Sequence, residues 1–344
     1  SIRRQRQMCI RDSLYTSANT FVASSNCGLY LKAVPKFIDI DQKSLNMCAN
    51  DLESKLIKDG NKVKVVIPVH FAGVPSDMKK IRRISNRNKA IVIEDASHAL
   101  GGNYQCGSSI GSCKYSNMTI FSLHPVKGVT AGEGGIITTN NYKYHKALKE
   151  LRSHGIYKGN FDFPGISVGD ERILDIKEAF ENKKLKPWYY EMQNLGYNYR
   201  ITDIQCALAI SQMNKLNKFI SRRKKIAKIY DRELKHLKLI KPTQIKYRDN
   251  SAHHLYVVRI DFHSLNISRA KLMNELFKKN IGTQVHYIPV PMHPYYKKLG
   301  YKILDYPNTK SYYEEGLSLP MYFGLEDEMI YEICTILKQY EKQS

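Results

Sequence analysis

The segments Val63-Lys-Val-Val-Ile-Pro-Val-His70 and Ala90-Ile-Val-Ile-Glu-Asp95 decide the fold. Both are nearly continuous apolar runs rich in β-branched residues, which is typical of strands buried on both faces of a sheet. Residues 76–86 lie between them and have the composition of a basic helix. Two such strands separated by a helix predict an α/β fold whose sheet is covered by helices.

The alternation of strands and helices extends in both directions from this unit. Further strands are predicted at residues 34–41, 118–121 and 135–139, and further helices at residues 51–57, 142–153 and 202–237. Asp51 is expected to cap the first of these helices, because its carboxylate can accept hydrogen bonds from free N–H groups of a helix N-terminus. Residues 161–187 are charged and irregular, which predicts a surface excursion.

The character of the sequence changes after Lys238. The elements predicted there are a strand at 254–261, a helix capped by Ser268, a short strand at 284–287 and a final helix that begins at Glu326. The helix after Ser268 is expected to bury one face, formed by Leu272, Met273, Leu276 and Phe277. The sequence thus predicts a large α/β domain at residues 14–237 and a small α+β domain at residues 238–344.

Composition limits the class of protein. The chain has 344 residues, of which 42% are hydrophobic and 25% are charged, as is ordinary for a globular protein. No apolar run approaches the roughly 20 residues of a membrane-spanning helix, and no signal peptide is recognisable. The seven cysteines are odd in number and form no C-x-x-C pair, which argues for a reducing cytoplasm and against a disulfide framework or a zinc site.

The net charge of +22 is compatible with a basic regulatory or nucleic-acid-binding protein. The lysines, however, are spread along the whole chain, and no nucleic-acid recognition motif accompanies them. We therefore keep a basic non-enzymatic protein as an alternative, and we expect the basic surface to help attract a phosphorylated substrate.

The first candidate for catalytic residues is the segment Phe121-Ser-Leu-His-Pro-Val-Lys127-Gly-Val-Thr-Ala-Gly-Glu-Gly-Gly135. Its single lysine, Lys127, lies among proline, valine and glycine residues. A lysine becomes a useful nucleophile only when part of it is neutral, and desolvation lowers its pKa in that direction. Taken alone, the segment fits either a Schiff-base lysine or a lysine in a surface loop.

Three further segments carry polar groups where ligands bind. Asp95 ends a predicted buried strand, so it fits either a partner for a protonated pyridine nitrogen or an ordinary loop acid. Residues 195–205 place polar and aromatic groups at a predicted helix start, which fits a phosphate site or a plain capping box. Residues 282–289 alone fit a strand with a partly buried histidine.

Together, the four segments resemble the DegT/DnrJ/StrS family of pyridoxal-phosphate sugar aminotransferases, which have the aspartate-aminotransferase fold (fold type I). The resemblance runs from Leu14 to the C-terminal helix and includes Thr16-Ser-Ala-Asn-Thr-Phe21-Val-Ala-Ser24. The segments that are similar to one branch of the family, the C4-aminotransferases of the pseudaminic acid pathway, are Ser122-Leu-His-Pro-Val-Lys127, Lys186-Pro-Trp-Tyr-Tyr-Glu-Met192 and Gln284-Val-His-Tyr-Ile-Pro289.

The resemblance implies a role for each matching residue. Lys127 would form the Schiff base with pyridoxal 5'-phosphate, and Asp95 would hold the protonated ring nitrogen. The other cofactor contacts would be His98 near the phenolic oxygen, Phe21 on the ring face, Ser122 at the phosphate and Asn198 at the phosphate of the neighbouring subunit's cofactor. His286 and Tyr287 would lie near the substrate. The implied active form is a homodimer.

The resemblance further implies a ping-pong transamination. The amino group would pass from L-glutamate to a nucleotide-linked 4-keto-6-deoxy sugar, of the UDP-4-amino-4,6-dideoxy-N-acetyl-beta-L-altrosamine type, for bacterial surface sugars. The expected partners are these substrates and a second copy of the chain, with no nucleic acid and no membrane. Another keto sugar is the main alternative, whereas a dehydratase of the family is disfavoured because such enzymes typically have histidine in place of Lys127.

Residues 1–13 are basic and lack an amphipathic period, so we expect them to be foreign to the fold. The family begins with a helix and a Gly-Thr-x-Ala loop whose N–H groups hold the cofactor phosphate. Nothing before Leu14 matches this loop. We therefore expect the chain to be truncated at its N-terminus, to fold poorly and to bind the cofactor weakly.

Overall fold

The computed structural model describes residues 12–157, 180–181 and 184–343. Residues 139–204 form one compact unit, called here the second unit, and the rest of the chain forms the other, called here the main unit. Most of the predicted surface excursion at 161–187 lies outside the described residues. The predicted domain boundary at residue 237 stays a prediction.

The main unit contains a central sheet of six strands. These are β1 (Ser13–Ser17), β2 (Val34–Ile38), β3 (Val63–Ile67), β4 (Ile91–Asp95), β5 (Met118–Ser122) and β6 (Gly135–Thr138). They lie in the order β2-β1-β3-β4-β5-β6, and all neighbours are parallel except β5 and β6. The helices between the strands are α1 (Ala23–Tyr30), α2 (Ala49–Asp59) and α3 (Met78–Arg87). The sheet confirms the predicted α/β fold.

The core of this part of the chain lies between the sheet and its helices. Fully buried apolar residues of α2 and α3 pack with those of β3 and β4; they include Leu52, Leu56, Ile81, Ile84, Val66 and Val92. Burial of each such side chain stabilises the folded state by about 1.5–3 kcal/mol relative to leaving it exposed. This packing fixes the C-terminal end of β4, where Asp95 lies.

The sheet begins before the predicted position. Ser13 is the first residue of β1 and is buried, and the carbonyl of Asp12 accepts a hydrogen bond from the Val34 N–H at 2.9 Å. The prediction that the foreign leader includes Asp12 and Ser13 is therefore wrong. Residues 1–11 lie outside the described part of the chain.

The predicted N-cap at Asp51 is also wrong. Helix α2 begins at Ala49, after a Cys48 cap that makes no side-chain hydrogen bond. Asp51 lies in the first turn, where its Oδ2 accepts hydrogen bonds from the Asp39 N–H at 2.8 Å and from Lys55 Nζ at 2.9 Å.

Glu94, the neighbour of Asp95 on β4, is fully buried and surrounded by hydrogen-bond donors. Its carboxylate accepts from Tyr104 Oη at 2.8 Å, Thr119 Oγ1 at 3.0 Å and Ser116 Oγ. His70 Nε2 lies 2.8 Å from Glu94 Oε2. Burial alone would raise the pKa of Glu94, but the hydrogen bonds from His70, Ser116 and Tyr104 together lower it below its usual value.

The tautomer of His70 follows from its second contact. The Ser76 backbone N–H donates to His70 Nδ1 at 3.0 Å, so Nδ1 carries no proton. The proton is therefore on Nε2, which donates to Glu94. The His70–Glu94 contact is thus a hydrogen bond from a neutral imidazole to a buried carboxylate rather than an ion pair.

A second, antiparallel sheet lies in the C-terminal part of the main unit. Its strands are β11 (Ile240–Pro242), β12 (Tyr256–Ile260) and β13 (Gly316–Leu319), in the order β11-β12-β13. The helices of this part are α5 (Asp203–Met213), α6 (Leu216–Leu234), α7 (Arg269–Lys278), α8 (Pro294–Lys298), α9 (Pro307–Glu315) and α10 (Asp327–Gln343). The predicted helical region at 202–237 is thus two helices. The core on this sheet includes residues of α6, such as Ile226 and Tyr230.

Three predictions for this region have different outcomes. Ser268 caps α7 as predicted, because its Oγ accepts a hydrogen bond from the Lys271 N–H at 3.2 Å. Phe277 was expected on the buried face but is 73% exposed. Residues 284–287 form no strand, because only Gln284 pairs, in an isolated bridge with Ser318.

The second unit contains α4 (Tyr142–Arg152) and two small ladders. In these, β7 (Ile156–Tyr157) pairs with β10 (Glu191–Met192), and β8 (Phe180–Glu181) pairs with β9 (Lys184–Leu185). Within the described residues, short 3-10 helices lie at Gly60–Lys62, Phe71–Gly73, Ile245–Asn250, Val290–Met292 and Ile303–Asp305. Among the residues that the structure describes, no helix is both long enough and apolar enough to cross a membrane.

Replacing Glu94 by glutamine should lower the free energy of unfolding by about 3 kcal/mol or more, because buried donors lose a charged acceptor. The lowered pKa implies that the contribution of Glu94 is present above the usual glutamate pKa and is lost as the pH falls through the folded value. The difference in the free energy of unfolding between the wild type and Glu94→Gln, measured by urea unfolding, should therefore become smaller at acidic pH.

Glu53→Gln is the control, because Glu53 pairs with the exposed Arg87 at 3.2 Å. Such a surface pair contributes less than about 1 kcal/mol. Equal losses for the two variants would contradict the account of the Glu94 cluster.

Candidate functional site

The candidate site lies at the carboxyl edge of the parallel strands. Asp95 ends β4 and Ser122 ends β5, the neighbouring strand. Ligands of α/β proteins bind at this edge, because loops leaving adjacent strands can diverge there. Asp95 therefore ends a buried strand, as the sequence predicted, and its role in a ligand site stays a prediction.

The carboxylate of Asp95 accepts one hydrogen bond on each oxygen. Ser24 Oγ donates to Oδ2 at 2.6 Å, and the Ser97 N–H donates to Oδ1 at 3.1 Å. Ser24 lies in the first turn of α1, which follows β1 directly. The two contacts fix the direction of the Asp95 oxygens.

Lys127 lies in a tight loop after β5. The Lys127 N–H donates to the His124 carbonyl at 2.9 Å, and the Ala131 N–H closes the loop on the Leu123 carbonyl at 3.0 Å. Burial lowers the pKa of the Lys127 amine, while the charge of Asp95 acts in the opposite direction. The neutral amine is therefore more populated than in an exposed lysine.

His98 is buried beside this lysine. Its Nε2 lies 2.9 Å from Tyr287 Oη, and its ring centroid is 4.3 Å from that of His254. Burial holds the pKa of His98 well below its usual value, and the charge of Lys127 acts in the same direction. The imidazole of His98 is therefore neutral at neutral pH.

His254 is a site residue that the sequence analysis missed. It was placed in a strand at 254–261, but β12 begins only at Tyr256. The buried His254 ring lies against His98, and burial followed by the charge of Lys127 holds its pKa well below the usual value. A histidine just before an apolar strand was the only signal in the sequence.

The backbone beside His254 requires a glycine. The His254 N–H donates to the Ala72 carbonyl at 3.0 Å, and the next residue, Gly73, has φ +94°. A Cβ on Gly73 would lie 2.9 Å from the backbone carbonyl oxygen of His98 and 3.0 Å from the backbone nitrogen of His254. A side chain at Gly73 would therefore push His98 and His254 apart.

His286 and Tyr287 reach the same site from the C-terminal part of the main unit. His286 Nδ1 lies 2.9 Å from Ser318 Oγ, and the Tyr287 N–H donates to Asn19 Oδ1 at 3.2 Å. Burial and the charge of Lys127 lower the pKa of His286 to about 4. Burial raises the pKa of Tyr287, as does the charge of Asp95, so its phenol stays protonated.

The remaining predicted residues, Phe21, Ser122 and Asn198, have contacts that do not involve Asp95 or Lys127. The Phe21 ring is 58% exposed and lies 6.1 Å from the Tyr287 ring, between centroids. Ser122 Oγ accepts from the His124 N–H at 3.3 Å. Asn198 belongs to the second unit, where it pairs with Ser153 in an isolated bridge, so its role stays a prediction.

Residues 8–338 match the DegT/DnrJ/EryC1/StrS aminotransferase family. The chain belongs to this family. Its members are enzymes that use pyridoxal phosphate, and the fold is fold type I of the pyridoxal-phosphate-dependent enzymes, as predicted. The matched region includes residues 8–13 of the predicted leader.

Similar proteins include one uncharacterized protein and two named aminotransferases. MJ1066 of Methanocaldococcus jannaschii is 38% identical over 96% of this chain and 79% of its own length. The UDP-4-amino-4,6-dideoxy-N-acetyl-beta-L-altrosamine transaminase of Campylobacter jejuni is 34% identical over 89% of this chain and 73% of its own. The structure of Helicobacter pylori PseC, an aminotransferase in pseudoaminic acid biosynthesis, superposes with a TM-score of 0.83 at 26% identity, over 97% of this chain and 81% of that one.

The electrostatic effect of Lys127 on the site can be measured as a change in the pKa of His286. In Lys127→Met, the pKa of His286 should rise from about 4, because a nearby positive charge that opposes protonation is gone. Titration of the imidazole signals by NMR would follow it. His253 is the control, since its pKa is also lowered to about 4 but by burial and by Arg248, Lys224 and Arg223. Equal changes at both histidines would contradict this geometry.

Proposed function

We propose that the chain transfers the amino group of L-glutamate, through pyridoxal phosphate, to a nucleotide-linked 4-keto-6-deoxy sugar. The observation that carries the proposal is the half-buried Lys127, whose pKa is lowered by burial and which lies close enough to Asp95 for the charge of that carboxylate to act on it. A lysine of this kind suits the aldehyde carbon of the cofactor, and a carboxylate suits its protonated ring nitrogen.

The other groups of the site fit the same cofactor. The ring of Phe21 is exposed and can stack on a flat heterocycle. Two buried ring nitrogens, Nδ1 of His98 and Nδ1 of His254, make no hydrogen bond within the described residues. Unpaired buried nitrogens are costly, so their presence favours a bound polar group or water beside them. We assign Ser122 Oγ to the cofactor phosphate.

When bound, pyridoxal phosphate acts as an electron sink for the carbon from which a proton is removed. Lys127 Nζ is the group that takes and returns this proton, because its neutral form is populated by burial. Asp95 would keep a proton on the ring nitrogen by accepting a hydrogen bond from it. Neutral His98 adds no positive charge beside the cofactor's oxygen, and its Nε2 stays paired with Tyr287 Oη.

The proposed acceptor is an uncharged sugar carbonyl. His286 is neutral and Tyr287 is protonated, so both can exchange hydrogen bonds with hydroxyl and carbonyl groups without facing a charge. The name of the Campylobacter relative supports a 4-keto sugar whose aminated product is of the UDP-4-amino-4,6-dideoxy-N-acetyl-beta-L-altrosamine type. Another keto sugar is the alternative, and turnover with a series of nucleotide-linked keto sugars distinguishes them.

We also propose a homodimer in a reducing cytoplasm. No residue of the apolar helix α5 is buried, and its exposed side chains include Ile204 (83%) and Ile210 (63%). A helix with apolar side chains exposed in this way fits contact with a second copy of the chain. The six cysteines of the described residues are all free thiols, which fits a reducing compartment.

Lys127→Ala should lower kcat with L-glutamate and the keto sugar by about 100- to 10,000-fold, the range for loss of a general acid–base group. Lys64→Ala, on an exposed position of β3, is the control and should leave kcat unchanged. Product formation is measured by chromatography of the nucleotide sugars. Repeated turnovers by Lys127→Ala at the wild-type rate would refute the proposed function.

The double variant Ile204→Asp and Ile210→Asp should weaken self-association, because two charges would have to be desolvated in the interface. Sedimentation over a range of protein concentrations measures this. Leu31→Asp, at a residue of the main unit that is 79% exposed, is the control. An unchanged dissociation constant for the double variant would remove α5 from the interface.

A further inference from the structure

A short chain of hydroxyl groups leads to Asp95 from behind. Thr20 Oγ1 lies 3.1 Å from Ser24 Oγ, which lies 2.6 Å from Asp95 Oδ2. Thr20 is 1% and Ser24 is 7% exposed, so water does not compete freely for these contacts. Both hydroxyls come from the segment between β1 and the first turn of α1.

The direction of the chain follows from counting protons. A carboxylate can only accept hydrogen bonds, so Ser24 donates its single hydroxyl proton to Asp95. Ser24 Oγ can then only accept from Thr20. The hydrogen bonds therefore run from Thr20 to Ser24 to Asp95, and each strengthens the next because the donor oxygen is polarised.

Several groups face Asp95 besides this chain. Lys127 and Tyr287 lie close enough to interact electrostatically with its charge, as does Cys27 of α1. The Ser97 N–H occupies Oδ1. Among these contacts, Ser24 is the donor to Oδ2. It leaves the second lone pair of that oxygen available to a ligand.

We propose that Ser24 is a positioning residue for the cofactor: its hydroxyl holds Asp95 Oδ2 aimed at the ring nitrogen of pyridoxal phosphate. This inference rests on the proposed function. Ser24 touches no reacting atom. Its effect reaches the cofactor only through Asp95, so it depends on the presence of a basic nitrogen in the ring.

That dependence gives a direct test with two ligands. Pyridoxal phosphate has the ring nitrogen, and its 1-deaza analogue has a C–H group in the same place. Ser24→Ala should raise the dissociation constant of pyridoxal phosphate roughly tenfold, as expected for loss of a charge-assisted hydrogen bond. The dissociation constant of the deaza analogue should change less than about twofold, because a C–H group makes no strong hydrogen bond to Asp95 Oδ2, however well that oxygen is positioned.

Three further variants separate positioning from folding. Ser24→Thr keeps the hydroxyl and should restore the affinity for pyridoxal phosphate. Thr20→Val removes only the upstream donor and should give a smaller loss with the same preference between the ligands. Ser25→Ala is the matched control. Ser25 is equally buried in α1, but its hydroxyl contacts the Val22 carbonyl and Tyr296 rather than Asp95.

Equal weakening of both ligands by Ser24→Ala would show a merely structural role and overturn the inference. So would unchanged binding of both. A wild-type chain that binds neither ligand would overturn the proposed function, and this inference with it. Binding of both ligands without any dependence on Ser24 would overturn this inference alone.

Discussion

The structure depends on the placement of two neighbouring carboxylates at the end of strand β4. Because side chains alternate along a strand, Glu94 points into the core while Asp95 points to the site. Glu94 is held by donors from His70, Tyr104, Ser116 and Thr119, which come from three different parts of the chain. The interaction that fixes the fold here also fixes the position of the acid that faces Lys127.

Around Asp95 and Lys127, burial is the main cause of the shifted pKa values. It lowers the pKa of Lys127 and keeps His98, His254 and His286 neutral, so the lysine lies among uncharged rings. Asp95 is left as the negative charge that acts on the lysine. A site of one amine, one carboxylate and several neutral hydrogen-bonding groups suits a cofactor with a cationic ring and a substrate with a carbonyl.

The sequence predicted what depends on local patterns. Continuous apolar strands identified the sheet, and an acid at a strand end and a lysine in an apolar loop identified Asp95 and Lys127. Contacts between distant segments were not predictable in this way. His254 was missed because its ring contact with His98 depends on the tight turn at Gly73. The strand expected at 284–287 was wrong because only Gln284 finds a pairing partner.

The central claim is that Lys127 is the residue that binds pyridoxal phosphate covalently. The most direct measurement is reduction of the protein with borohydride in the presence of the cofactor, followed by mass spectrometry of its peptides. We expect one pyridoxyl group per chain, on the peptide that contains Lys127. Labelling spread over exposed lysines, with none on Lys127, would contradict the account.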